Sequence, residues 1–300
     1  MREIEIEKIN SVALIAKTSA ILEVSIDKPG NVSPWNNFSD VKYEDFLAGA
    51  IALSNVIRIS TERSILAKKG KISLRDLKIG ELIKMGTIYV MNSHPYAKAN
   101  THLGMLLLMI PISIAYCLSK EEIGRSIKKI LKFTTVKDTI DFYDAIEISN
   151  ANVGGKLKKP RVSFYKMLKI SAKNDRIAYD LINDLKITKF SSKLIEKNFF
   201  EIRDIKNAIL QSYLELLSKY YDTLIAKKNG KEKAKEISKK AEEIISLGGV
   251  KTEKGRKEIE RFYRYLHDKK NRFNPGTTAD LIASGLMLCL LHKKFSLDSP

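Results

Sequence analysis

The chain has little of what holds secreted domains or metal centres together. Its 300 residues contain two cysteines, Cys117 and Cys289. Both sit inside apolar runs without C-x-x-C spacing, so no disulfide framework or zinc site is expected, and they read as buried reduced thiols. Long apolar runs are also missing. The most apolar stretch, Leu103 to Leu118, carries Pro111 and Ser113 inside it. It falls short of the roughly 20 residues that a membrane span takes, and suits a core helix. The start, Met1-Arg2-Glu3-Ile4-Glu5, lacks the apolar region of a signal peptide. A cytoplasmic protein with no membrane partner is the expectation.

Acidic side chains are outnumbered. There are 53 Lys and Arg against 35 Asp and Glu, a net charge of +18, which invites a polyanionic partner. The lysines are scattered along helical faces, however, and richness in Ile, Lys and Glu is also what high-temperature proteins show. A solvated Lys-rich surface is the favoured reading. Small phosphate-bearing ligands come next, and nucleic acid last.

No β/α alternation, G-x-G-x-x-G, Walker loop or internal repeat is present. The opening Glu3-Ile4-Glu5-Ile6-Glu7 alternates like a strand but runs into helical spacing at Ile9, Val12, Ala13, Ala16, Ala20 and Val24. Pro29 and Gly30 stop that helix near Asp27. Further helices are predicted over 43–60, 74–91, 103–118, 121–133, 136–148, 163–185, 202–222, 231–247, 252–266 and 277–292. The fold class is therefore all-α: one multi-helix domain over 1–300 around a central buried helix.

Three polar stretches interrupt the helices, each at a boundary where backbone N–H groups lie open to an anion. They are Glu23 to Asn31 with Asp40 shortly after, Asn100-Thr101-His102-Leu103-Gly104, and Asn274-Pro275-Gly276-Thr277-Thr278-Ala279-Asp280. Each has a purely structural reading beside the functional one. Thr277 with Asp280 resembles a capping box, Thr101 is an N-cap candidate, His102 suits a core position, and Pro29-Gly30 suits a helix stop. Asp222 to Gly230 reads as a capped loop, or as a site in which Lys228 is a point-charge contact for phosphate. Asn174-Asp175-Arg176 reads as mid-helix.

In order, these segments resemble the triphosphoribosyl-dephospho-CoA synthase family. The matching residues are Glu23-Val24-Ser25 with Lys28-Pro29-Gly30-Asn31, then Asn100-Thr101-His102 with Gly104, then Gly154-Gly155 and Asn174-Asp175-Arg176-Ile177-Ala178. Asp222-Thr223-Leu224-Ile225 with Lys228 and Gly230 follows, and Asn274 to Leu281 closes the set. The resemblance implies an all-helical transferase in which ATP gives up adenine. The 2′-hydroxyl of a dephospho-CoA-like acceptor attacks C1′ of ATP, with inversion. That chemistry asks for a carboxylate at the attacking hydroxyl and for Mg²⁺, Lys and helix starts at the triphosphate. Glu23, Asp40 and Asp280 are the catalytic candidates, with Asp40 and Asp280 also as metal ligands. Lys28, Gly30, Asn100, Thr101, His102, Asp222, Lys228, Asn274 and Thr277 are the nucleotide- and phosphate-binding candidates.

Two departures stand out. Asn37-Phe38-Ser39-Asp40-Val41 keeps the aspartate of the bacterial G-x-H-x-D-M pattern without its histidine, and Leu103 stands where N-T-H-K-G has lysine. Both resemble the divergent archaeal and methylotroph branch, whose acceptor need not be dephospho-CoA. A related ATP-binding coenzyme-biosynthesis enzyme with different chemistry is the second reading, and a basic helical nucleic-acid binder the third. Oligomeric state is not written in the chain.

Overall fold

The computed structural model describes residues 2–93, 100–151, 161–267 and 272–294. Lys98, Ala99, Gly154 and Gly155 lie outside them. Among the described residues there is no strand, only an isolated bridge between Ser33 and Asn36, so the all-α expectation holds. The contacts divide the chain into two compact units. One is Met1–Ala20 with Asp45–Lys186, the other Ile21–Glu44 with Ile187–Pro300. The division falls inside α1 (Glu3–Ser25) and near the start of α2 (Tyr43–Lys68).

The first unit holds most of α1 and α2, then α3 (Ile79–Met91), α4 (Leu103–Leu118), α5 (Ile123–Lys132), α6 (Val136–Ile148), α7 (Phe164–Ser171) and α8 (Arg176–Ile182). α4 is the predicted central helix, buried at every residue from Met105 to Cys117. No single described helix is long and apolar enough to cross a membrane.

α3 approaches its neighbours through glycines. A Cβ at Gly86 would stand 2.7 Å from Leu106 and 2.9 Å from Val56, and one at Gly80 would stand 2.1 Å from the Asp138 carbonyl oxygen. Asp138 then does two things. One carboxylate oxygen accepts from the Gly80 amide at 3.0 Å, while the other accepts from the Thr135 amide and hydroxyl at 2.7 and 2.8 Å. The cap of α6 is thus also the clamp on α3.

The predicted elements shift where a local signal was misread. The strand-like opening is the first turn of α1. The 74–91 helix is a 3-10 turn, Leu74–Leu77, followed by α3, with Lys78 between them at φ 49°. The 163–185 helix is two helices, because Asp175 accepts from the Ala178 amide at 3.0 Å and starts α8 anew.

The second unit carries α9 (Lys186–Ile202), α10 (Ile205–Lys219), α11 (Thr223–Asn229), α12 (Lys231–Ser246), α13 (Glu253–Leu266) and α14 (Gly276–Leu291). α9 went unpredicted, and the 202–222 helix starts later than expected, at the Asp204 cap. Close approach again uses glycine, since a Cβ at Gly285 of α14 would lie 2.4 Å from Ser191 Oγ of α9. Cys289 contacts Ser192 at 3.2 Å, and burial pushes its thiol up to about 11. Both cysteines are free and buried.

Replacing Gly80 with Ala should cost about 2–3 kcal/mol or more, because the obstructing atoms are backbone and cannot rotate away. Urea unfolding of Gly80→Ala against the unaltered chain measures it.

Candidate functional site

The second unit builds its polar centre from the end of α1. A helix ending at Ser25 leaves its last carbonyls without i+4 donors. Lys28, three residues on, folds back and supplies them. Its ammonium donates to the carbonyls of Glu23 and Ile26, the latter at 2.8 Å, and pairs with the Glu23 carboxylate at 3.1 Å. Lys28 is 0% and Glu23 2% exposed. An ammonium has three protons, and all three are accounted for. As folded, Lys28 holds Glu23 rather than reaching for a phosphate.

Beyond Lys28 the chain turns sharply and is fixed from several sides. The Pro29 carbonyl accepts from the Tyr213 hydroxyl at 2.7 Å. Gly30 has φ +80°, and a Cβ there would lie 2.9 Å from Pro275 and 3.0 Å from the Phe273 carbonyl oxygen. Only glycine meets both demands without strain. Asn31 donates to the Asn274 side chain at 2.8 Å, closing an asparagine clasp between the two polar segments, while its own Oδ1 is buried without a partner among the described residues. Asp27 accepts from Ser33 at 2.6 Å, and burial together with Asp27 raises the pKa of Tyr263.

Asp222 ties together the starts of two helices of this unit. One of its oxygens accepts from the amides of Leu224 and Ile225 at 2.8 and 3.0 Å, capping α11. The other accepts from the amide and hydroxyl of Thr278 at 2.7 and 2.9 Å, holding the start of α14. Burial raises its pKa, and these hydrogen bonds oppose the rise. The expected Thr277 cap is not formed: α14 starts at Gly276 with no side-chain cap of its own. Thr277 instead shares a 3.2 Å hydrogen bond with Thr223.

Three candidates stand nearer solvent. Asp40 is exposed and Asp280 half-buried. Lys228 is exposed by area, yet its surroundings lower its pKa by desolvation, against the opposing charges of Asp40 and Asp222. Lys228 and Asp40 are therefore electrostatic neighbours. Among the described residues no group of three His, Cys, Asp or Glu side chains is placed to hold a metal.

The Asn100–His102 segment belongs to the first unit. Asn100 is exposed and Thr101 buried. Thr101 does not cap α4; its hydroxyl pairs with His102 Nδ1 at 2.6 Å, and His102 takes the N-cap position without a side-chain cap bond. The ring packs on Gly49 and lies 5.6 Å from Phe46. Burial lowers the His102 pKa from 6.5 to about 3, and Nε2 has no partner among the described residues. His102 is a neutral core histidine.

Sequence reasoning passed over Tyr213 and Tyr263, and quoted Asp27 and Asn31 without giving either a role in the site. Tyr213 and Tyr263 lie within α10 and α13 and carry no local signal.

A buried acid–lysine pair, a glycine corner and a tethered helix start gather polar groups in the second unit of an all-helical chain. Residues 9–299 match the family of ATP:dephospho-CoA triphosphoribosyl transferases, and the chain belongs to it. It is a transferase of the triphosphoribosyl-dephospho-CoA synthase kind. A crystal structure from Archaeoglobus fulgidus, assigned as a triphosphoribosyl-dephospho-CoA synthase, is similar at 25% identity and TM-score 0.58. The likeness covers 81% of this chain and 97% of that one. No protein of curated function matches.

Two outcomes follow. Asp222→Ala should cost about 2–4 kcal/mol in urea unfolding, because two helix starts lose their acceptor together. For His102, the unfolded chain takes up a proton near pH 6.5, whereas the folded one resists until about 3. The stability contributed by the neutral ring is full above pH 6.5. It should decline by up to about 1.4 kcal/mol per unit as pH falls through that window. Unfolding free energies at pH 7 and 5 should show this loss, and His102→Phe should lack its share.

Proposed function

We propose that Glu23 is the base of the triphosphoribosyl transfer and that Lys28 positions it. The 2′-hydroxyl of dephospho-CoA gives its proton to the Glu23 carboxylate as its oxygen bonds to C1′ of ATP. The C1′–N9 bond breaks, and adenine leaves with the electron pair and takes up one proton. What supports the assignment is the Glu23–Lys28 pair, at 3.1 Å and almost wholly buried. Burying two charges is costly unless each is fully bonded, and here the chain meets that cost within six residues.

Asn31, Asn274 and Thr277 line the same corner as polar contacts for the nucleotide, and Lys228 offers a cation for its phosphates. In the first unit, Thr101 and His102 keep the start of α4 in shape. Asp222 serves by holding two helix starts in place. Mg²⁺ is expected to accompany ATP. The exposed Asp40 and half-buried Asp280 fit a hydrated ion that reaches the protein on the triphosphate, rather than an all-protein cage. Bound there, the ion would neutralise phosphate charge.

Incubation with ATP, Mg²⁺ and dephospho-CoA should release free adenine, resolved by chromatography. Glu23→Gln should lower kcat by about 10²–10⁴ while ATP binding persists. Absence of adenine with every acceptor tried would remove the assignment.

A further inference from the structure

Beside the glycine corner, three rings of the second unit form a continuous ladder. Phe262 and Tyr265 stack with centroids 6.4 Å apart and planes 12° from parallel, and Tyr265 and Phe273 repeat this at 6.4 Å and 7°. Phe262 is buried in the core, whereas Tyr265 and Phe273 are only partly buried. Phe273 is thus the outermost rung.

Cations crowd the ladder. Lys240 lies 4.6 Å from the Tyr265 centroid and Arg272 5.6 Å from that of Phe273. Lys233 lies 5.3 and 5.5 Å from the two rings. Lys233 is already spoken for, since it donates to Glu236 at 2.9 Å and to the Tyr265 hydroxyl at 2.7 Å, and that hydroxyl donates to Glu236. These bonds fix the Tyr265 rung in place before anything binds.

The outermost rung adjoins the corner described above. The Phe273 carbonyl oxygen faces Gly30, and the next residue, Asn274, forms the clasp with Asn31. A stack with a partly exposed last ring offers a fourth place to a flat π-system. The cations alongside suit a flat group that carries phosphates.

We propose that Phe273 is the platform on which the adenine of a 5′-phosphorylated adenosine stacks, with Arg272 beside it and Lys240 one rung back, over Tyr265, for the phosphates. This rests on the triphosphoribosyl-transfer reading, in which both ATP and dephospho-CoA carry that group. Phe273 is then a specificity-determining residue that the reaction chemistry alone does not require.

Calorimetric titration of the full chain with ATP and with dephospho-CoA, each separately, tests it. Phe273→Leu should weaken one of the two by about tenfold or more, which identifies the nucleotide seated there. Phe273→Tyr, which keeps the ring, should bind as the unaltered chain does. Lys240→Ala should weaken that same nucleotide more than it weakens adenosine. Unchanged binding of both nucleotides by Phe273→Leu overturns the platform alone. A loss in Phe273→Tyr as large as in Phe273→Leu also overturns it, since packing rather than stacking would then be at stake. If the unaltered chain binds neither nucleotide, the platform and the transfer reading fall together.

Discussion

A fully buried ammonium must find three acceptors, and Lys28 finds all of its own between Glu23 and Ile26. Much of the second unit's polar centre follows from that constraint. To bring its ammonium back over the end of α1, the chain must reverse at once, which places Pro29 and Gly30 where they are. The reversal exposes the Pro29 carbonyl to Tyr213 and leaves Gly30 at positive φ against Pro275. Asn31 then meets Asn274 across 243 positions of sequence. One local demand for hydrogen bonds thus sets a long-range contact.

The same economy governs Asp222. A buried carboxylate is tolerable when donors surround it, and two helix starts supply four. Each helix start in turn needs an acceptor for its open amides. One residue answers both needs, so Asp222 works as a structural hub although it sits within a family motif. Lys28 and His102 show the same pattern in different ways. Polar residues that look like ligand contacts in the sequence are committed to the protein itself, while Asp40, Lys228 and Asp280 of the second unit stand nearer solvent.

How much of this could be read from sequence depended on range. Helices with an apolar stripe were legible, as α2, α4, α6 and α12 show. α9 was not, because its buried face includes Thr188, Ser191, Ser192 and Asn198, residues that read as solvent-facing in any local window. The break before α8 hid inside a continuous periodicity, since Asp175 as a cap looks like Asp175 as a surface residue until the backbone is seen. Thr101 and Thr277 were expected to cap their own helices. Thr101 turned to His102, and the cap for α14 came from Asp222, 56 residues away. Residue types at helix boundaries announced that something polar happens there, but not which partner would be met.

The positive charge shows the difference between composition and arrangement. Several cations are tied into pairs one helical turn apart, such as Lys257 with Glu253, Lys137 with Asp141 and Arg261 with Glu258. Pairs like these decorate separate helices and do little to gather phosphates. What distinguishes the cations near Tyr265 and Phe273 is company rather than number. Lys240 and Arg272 sit over aromatic faces there, while Lys233 is held by Glu236 and the Tyr265 hydroxyl. A Lys-rich chain can spread its charge for solvation and still bring a few cations, a stack of rings and a glycine corner together at one place.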